Sequence, residues 1–191
     1  MIVVDSSERP ATIARPGITV IHAPGANVPA KRNIALQAAT GDAITWLDDD
    51  DWRHPDSLKI MAVGLDAETA VSGGRWAWFV DLATGNTRRF CDRRGVLAAC
   101  VLIDTAVAQT VRFDEDEIRG SDIAWMDEIL KRPFAFTYEP LSFFLCHDRN
   151  LGNAASIHHF NRGLDDIEHM TGAAWRGTPR QLDALRGRLW K

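Results

Sequence analysis

Four consecutive aspartates (Asp48–Asp51) directly follow the short apolar segment Ala43 to Leu47, whose composition predicts a buried β-strand. Before this strand, the segment Val28 to Thr40 carries apolar residues close to helical spacing and ends at Gly41. The β-branched segment Ile18 to Ala23 predicts the strand that precedes this helix. A strand-helix-strand unit favours an α/β fold, in which ligands collect at the carboxyl ends of parallel strands. The acidic run is expected at such a strand end.

Further predicted elements lie on both sides of this unit. Ile2 to Asp5 predicts an earlier strand, and Pro55 opens a predicted helix with an apolar face. Turn signals at Gly73-Gly74 and Gly85-Asn86 separate several strand-like segments. The later elements are strands at 70–72, 76–82, 87–91, 99–103, 134–138 and 141–146, a helix at 123–130, and two polar helices after 157. We expect one α/β domain, with a mostly parallel sheet flanked by helices, a small mixed-strand region and a helical tail.

The overall composition excludes several classes of protein. A net charge of -4 and a pI near 5.8 argue against a nucleic-acid surface, which needs clustered Lys and Arg. The N-terminus lacks a signal-peptide pattern and no segment approaches roughly 18 uninterrupted apolar residues, so we expect a cytoplasmic protein without a transmembrane segment. The cysteines are widely spaced beside apolar residues and are expected to be reduced and packed, namely Cys91, Cys100 and Cys146.

The acidic run predicts a metal site. Adjacent carboxylates raise one another's pKa unless a cation neutralises them. Because alternate residues of an extended segment point the same way, Asp48 and Asp50 can converge on one ion. Oxygen ligands favour Mg²⁺ or Mn²⁺, and these ions take further ligands from substrate phosphates such as those of a nucleoside diphosphate. The alternative is a solvated acidic loop that also caps the next helix.

The residues around the acidic run form a recognisable series of motifs. In chain order these are Lys31-Arg32-Asn33, Ala39-Thr40-Gly41, Leu47 to Asp51 with Pro55 and Leu58, Phe113-Asp114-Glu115, and Gly120-Ser121-Asp122. Together they resemble the pattern of glycosyltransferase family 2 over about residues 1 to 150. The resemblance implies a GT-A (Rossmann-like) fold that transfers a sugar from a nucleotide diphosphate sugar. It implies a donor nucleotide and metal half (1–66), an acceptor and catalytic half (67–150) and a helical tail (151–191).

The same resemblance implies roles for individual residues. Asp48 and Asp50 would bind the metal and the donor diphosphate, with His147 as a further contact to the metal or phosphates. Asp122 would be the base that takes the proton from the acceptor hydroxyl in an inverting transfer, while the metal stabilises the departing diphosphate. The candidate substrate-binding residues are Asp5 and Asp49 for the nucleoside, Lys31 and Arg32 for the diphosphate, Asn33 beside them in the same motif, and Trp125 for stacking on the acceptor sugar. The expected donor is a UDP-sugar or a related nucleotide sugar, and the acceptor is a glycan or a small molecule.

The chain also departs from the family pattern. Members usually begin with another strand and helix ahead of the segment that matches Ile2 to Asp5, and Ser6 and Ser121 stand where acidic residues are common. A sheet without that central strand would expose pairing edges, so we expect another element, or another subunit of a homo-oligomer, to fill the gap.

Three alternatives remain open at this point. Lys31 and Arg32 are also compatible with a solvated helix start, and Ser121 and Asp122 with simple capping of the helix at Ile123. The short start is compatible with a noncatalytic relative that binds a glycan or a partner after losing donor binding. A sugar-phosphate nucleotidyltransferase would need a Gly-rich loop near its start, and the sequence has none.

Overall fold

A computed structural model of the chain describes residues 1–48, 51–81, 87–91, 98–118, 120–138 and 141–146. The strands are β1 (Ile2–Asp5), β2 (Thr19–His22), β3 (Ala43–Ile44), β4 (Trp52–Arg53), β5 (Val71–Gly74), β6 (Trp76–Asp81), β7 (Thr87–Cys91), β8 (Val101–Asp104), β9 (Phe134–Thr137) and β10 (Ser142–Cys146). The helices are α1 (Val28–Ala38), α2 (Ser57–Ala62), α3 (Thr105–Ala108) and α4 (Ser121–Ile129), with a 3₁₀ turn at Ala98–Cys100. The predicted tail helices, the predicted ligands Asp50 and His147, and Asp49 lie outside the described residues.

The described strands form three sheets. β1 and β2 pair in parallel, while β3-β8-β5-β9 and β4-β10-β6-β7 are four-stranded sheets that each contain parallel and antiparallel pairs. Because β3 and β5 are both antiparallel to β8, and β9 is parallel to β5, the carboxyl ends of β3, β5 and β9 lie at the same edge. The acidic run follows β3 and therefore begins at this edge.

The two-stranded sheet is separate from the others. Within the described ranges, β1 pairs only with β2, and β3 pairs only with β8. Helix α1 connects β2 to β3 and packs against β1. No described strand pairs with the second edge of β1 or of β3, and the expectation that another element or another subunit fills such an edge stays a prediction.

Two differences from the predicted elements have clear physical causes. Gly73 and Gly74 were predicted as a turn but belong to β5, where Gly74 pairs with Thr137. A Cβ on Gly74 would lie 2.7 Å from Sγ of Cys100, so glycine is needed here for close packing. Strand β3 is shorter than predicted because the carbonyl of Trp46 accepts a hydrogen bond from the Arg53 side chain instead of from a neighbouring strand.

A hydrophobic core lies between the β3-β8-β5-β9 sheet and helices α1, α3 and α4. Its buried members come from β5, β8, the three helices and the loop between α3 and α4, namely Leu36, Val71, Val101, Ile103, Ala108, Phe113, Trp125, Met126 and Ile129. A second cluster beneath α2 contains Met61, Ala77, Cys100, Leu102 and Leu141. Cys100 is a buried free thiol, as predicted, and burial raises its pKa. No helix in the described parts of the chain is long and apolar enough to cross a membrane.

Candidate active site

Asp48 is an exposed carboxylate that is already paired with a cation. Nη2 of Arg32 lies 3.3 Å from Oδ1 and 3.4 Å from Oδ2 of Asp48. The Arg32 side chain is only 16% exposed, whereas that of Asp48 is 46% exposed. The guanidinium also lies over the Phe113 ring, with Cζ 5.5 Å from the ring centroid, a favourable cation–π arrangement. The first residue of the acidic run therefore faces solvent beside a well-packed arginine.

Arg53 follows the acidic run, and its side chain binds residues that precede the run. Its Nη1 donates to Oγ1 of Thr45, and its Nη2 donates to the carbonyl of Trp46 and, over 2.6 Å, to the carbonyl of Ala99. Burial lowers the pKa of this guanidinium, and the charges of Asp51 and Asp48 oppose that shift. Sequence reasoning did not identify Arg53, because a single arginine in a polar segment gives no periodic signal.

Three aromatic rings join the separate sequence motifs beneath this edge of the sheet. The Phe113 and Trp125 rings stack with centroids 4.7 Å apart and an interplanar angle of 9°. Trp46 packs edge-on against both, at 5.5 Å from Phe113 and 5.9 Å from Trp125. Trp46 lies two residues before Asp48, so this aromatic cluster connects the acidic run to helix α4.

The burial of Trp125 corrects its predicted role. Trp125 is 2% exposed and its indole Nε1 donates to the carbonyl of Val111 over 2.9 Å. Phe113 stacks on one face of the Trp125 ring, and the Trp46 ring packs edge-on against Trp125. A buried ring cannot stack on an acceptor sugar, so Trp125 is a core residue that positions α4.

Asn33 joins α1 to the Phe113-Asp114-Glu115 motif. Its Oδ1 accepts from the Phe113 backbone N–H over 2.8 Å, and its Nδ2 donates to the Phe113 carbonyl over 2.9 Å and to Oε1 of Glu115 over 2.8 Å. Asn27 adds a parallel link, because its Nδ2 donates to the Glu115 carbonyl over 2.8 Å while its Oδ1 caps α1 at Ala30. Asn33 is 3% exposed, so its amide is committed to this link and is not available to a substrate.

Lys31 lies in α1 beside Arg32, and Asp5 lies at the end of β1, which packs against α1. Lys31 is half-buried in the first turns of α1, next to Arg32. Asp5 ends β1, and its carboxylate accepts from the backbone N–H groups of Ala11 over 2.6 Å and Ser7 over 2.9 Å. These two hydrogen bonds lower the pKa of Asp5 to about 2, and the bond from Ala11 has the larger effect. Asp5 is therefore ionised at neutral pH and organises the loop that follows β1.

Asp122 lies in the first turn of α4 and is half-buried. The N-cap of this helix is Gly120, whose φ of 81° is in the left-handed region, and no side chain caps the helix. The alternative in which Ser121 and Asp122 act as the helix cap is therefore wrong. Because residues three apart share a helix face, Asp122 lies one turn from Trp125, which contacts Trp46.

The chemistry of the described residues fits a hard divalent cation only in part. Asp48 offers exposed carboxylate oxygens at a strand end, which suit Mg²⁺ or Mn²⁺. Within the described ranges, no group of three or more His, Cys, Asp or Glu side chains could hold a metal ion. The other two predicted ligands, Asp50 and His147, are outside those ranges. Asp48 is thus compatible with the predicted site, and Arg32 already neutralises part of its charge.

Comparison with known proteins decides the family. The model for glycosyl transferase family 2 matches residues 2–111, more than half of the chain. The chain belongs to glycosyl transferase family 2. The matched region contains Asp5, Arg32, Asn33 and the whole acidic run, whereas Asp122 lies beyond it. A search of curated protein sequences finds no significant match.

Solved structures show the same fold. The chain is similar to S. aureus TarS 1-349 in complex with UDP-GlcNAc, with 15% identity and a TM-score of 0.59 over 78% of this chain and 50% of that chain. It is similar to the same protein in complex with UDP, with 15% identity and a TM-score of 0.56 over 76% and 50% of the two chains. For S. aureus TarS, the values are 14% identity, a TM-score of 0.53, and 98% and 36% of the two chains.

These likenesses confirm the predicted GT-A-like α/β fold of this family 2 chain. The chain spans half or less of the length of the solved structures that it matches. At this identity the likeness extends to the fold alone, so the roles of Asp48, Arg32 and Asp122 must be argued from their own geometry.

Proposed function

We propose that this chain is a metal-dependent, inverting glycosyltransferase that moves a sugar from a nucleotide diphosphate sugar to an acceptor hydroxyl. The observation that carries the proposal is the aromatic cluster of Trp46, Phe113 and Trp125, because it connects the acidic run, the Phe-Asp-Glu motif and the helix of Asp122. Motifs that are far apart in the sequence thus share one edge of the sheet. Membership of glycosyl transferase family 2 supports the same reaction class.

On the donor side, Asp48 would hold a Mg²⁺ or Mn²⁺ ion together with Asp50 and His147. The bound ion would supply a positive charge that stabilises the departing diphosphate. Arg32 lies beside Asp48, and toward the described residues only its Nη2 makes hydrogen bonds, so the other N–H groups of the guanidinium would suit phosphate oxygens. Asp5, ionised at the end of β1, would accept a hydrogen bond from the nucleoside, and Lys31 and Asp49 would complete the donor site. We propose UDP as the nucleotide, since the solved structures of the same fold include complexes with UDP and UDP-GlcNAc.

On the acceptor side, Asp122 would act as the general base. Its carboxylate would take the proton of an acceptor hydroxyl as that oxygen attacks the anomeric carbon of the sugar. The half-buried position in the first turn of α4 supports this role, because the carboxylate is not committed to a helix cap. The acceptor would be a glycan or a small molecule bound by the 67–150 half, and the reaction would take place in the cytoplasm.

One observation favours a second candidate function. Because Arg32 pairs with both Asp48 oxygens, the carboxylate is stabilised without a metal, as expected for a noncatalytic relative that binds a glycan or a partner. The two functions differ in whether the protein binds a metal ion and a nucleotide donor. The transferase requires that a divalent ion and a nucleoside diphosphate bind cooperatively, whereas the noncatalytic relative requires neither.

Thermal unfolding in the presence of nucleotide sugars tests the proposal. A ligand at about 100 times its Kd stabilises the folded state by about 2.7 kcal/mol, which raises the melting temperature of a chain of this size by several degrees. We expect UDP-sugars with Mn²⁺ to produce this shift in the wild type and to lose most of it in Asp48→Asn. Glu68→Gln is a matched control, since Glu68 is an exposed carboxylate between α2 and β5 and belongs to none of the motifs. No shift with any nucleotide sugar would contradict the proposal.

A further inference from the structure

The Arg53 side chain closes the chain segment that carries the acidic run. Its Nη2 donates to the carbonyl of Trp46, so one hydrogen bond joins the residues on either side of the segment 47–52. Its Nη1 donates to the side chain of Thr45, one residue earlier. A third hydrogen bond, to the carbonyl of Ala99, fixes the guanidinium itself to the start of β8. These three contacts, the Arg53 clasp, involve only groups of the described chain.

The clasp also connects two sheets. Arg53 belongs to β4, which pairs with β10 through Ser142. Thr45 and Trp46 continue from β3, which belongs to the other four-stranded sheet. The acidic run therefore leaves one sheet and enters another, and the Arg53 side chain spans the junction. Within the run, the Asp51 N–H donates to the Asp48 carbonyl over 3.2 Å, so a main-chain hydrogen bond joins these two residues.

The position of Arg53 presents a conflict between charge and geometry. The half-buried guanidinium of Arg53 is a cation near Asp48 and Asp51 that repels a divalent ion, so its charge alone would weaken metal binding. Holding the flanking main chain in place would strengthen metal binding, because ligands that are fixed in advance lose less entropy on coordination. The planar guanidinium makes hydrogen bonds in three directions, which a lysine ammonium at the same place cannot reproduce.

We propose that Arg53 is a positioning residue, which fixes the main chain on both sides of Asp48 and Asp51 and thereby favours binding of the divalent ion. The inference rests on the proposed function for its metal, but the ordering of the acidic run by Arg53 does not. Outer hydrogen-bond partners of metal ligands commonly contribute 10-fold to 100-fold to metal affinity. Arg53 acts through the backbone next to a ligand, and we expect the lower end of that range.

Arg53→Lys tests the inference because it keeps the charge and removes the geometry. We expect about a 10-fold increase in the Kd for Mn²⁺, measured by isothermal titration, and about a 10-fold faster hydrogen exchange of the Asp51 amide. The matched control is Arg132→Lys, since Arg132 also donates to a carbonyl and a hydroxyl, those of Glu128 and Thr110, but lies elsewhere. This control variant should change neither the Kd for Mn²⁺ nor the hydrogen exchange rate of the Asp51 amide.

Two further variants separate the possible outcomes. Arg53→Met removes the charge as well, so tighter Mn²⁺ binding in this variant would mean that repulsion dominates and would overturn the inference. Thr45→Val removes one hydrogen bond with little change of shape, and we expect about a 3-fold effect in the same direction even if Arg53 variants fail to fold. If the wild type binds no Mn²⁺, the proposed function fails. Hydrogen exchange of the Asp51 amide still tests whether the Arg53 clasp orders the acidic run. Unchanged exchange at Asp51 in both Arg53→Lys and Thr45→Val would contradict it.

Discussion

Replacing Asn33 by leucine removes the buried link between α1 and the Phe113 segment while nearly keeping the side-chain shape. Two backbone groups of Phe113, its N–H and its carbonyl, then lose their partner in a buried environment. Each unsatisfied buried polar group costs about 1–3 kcal/mol, and leucine recovers part of that cost through its apolar surface. The hydrogen bond from Asn33 to the Glu115 carboxylate contributes little to the free energy of unfolding, because this carboxylate is exposed and can bind water.

We therefore expect Asn33→Leu to lower the free energy of unfolding by about 2–4 kcal/mol, a large share of the about 5–15 kcal/mol of a typical domain. Urea unfolding followed by tryptophan fluorescence measures this difference, and the slope of the free energy against urea should stay unchanged. Asn27→Ala is the matched control. It removes a helix cap and an exposed hydrogen bond, and should cost about 1 kcal/mol. A loss below about 1 kcal/mol in Asn33→Leu would refute the reasoning.

Three further predictions concern the site and the sheet. Asp122→Asn should keep donor binding and abolish transfer in a product assay, whereas equal loss of both would assign Asp122 to donor binding or structure. Because the folded pKa of Asp5 is lowered to about 2, its stabilising effect is present above the unfolded value near 3.8 and disappears as the pH falls towards about 2. The difference in urea midpoint between the wild type and Asp5→Ala should therefore be larger at pH 7 than at about pH 2, and a constant difference would contradict this. The edges of β1 and β3 that no described strand pairs with predict self-association, so light scattering should give more than one chain per particle, and a monomer mass would contradict it.

The main elements of the fold could be predicted because local patterns determine them. The β-branched segments at β1 and β2 and the helical spacing of α1 were sufficient to locate them. The short elements were missed for a physical reason. Strand β4 has only two residues and exists because it pairs with β10, and α3 is a single turn capped by Asp104. Such elements depend on partners that are distant in the sequence.

The candidate site was likewise predicted only in part from the sequence. The motifs identified Asp48, Arg32 and Asp122 as candidate site residues, and the structure brings Arg32 and Asp48 into contact. The motif pattern could not separate binding residues from supporting ones, because both are needed at the same places. Burial makes that separation, and it assigns Asn33 and Trp125 to the structural support of the site.

Metal-dependent donor binding is the claim on which the proposed function depends. Isothermal titration of the wild-type protein with UDP, with and without Mn²⁺, measures it directly. The account predicts binding in the presence of Mn²⁺ that weakens at least about 10-fold, equivalent to about 1.4 kcal/mol, when the ion is removed or when Asp48 is replaced by asparagine. Equal UDP affinity in all three conditions, or no binding in any, would contradict it.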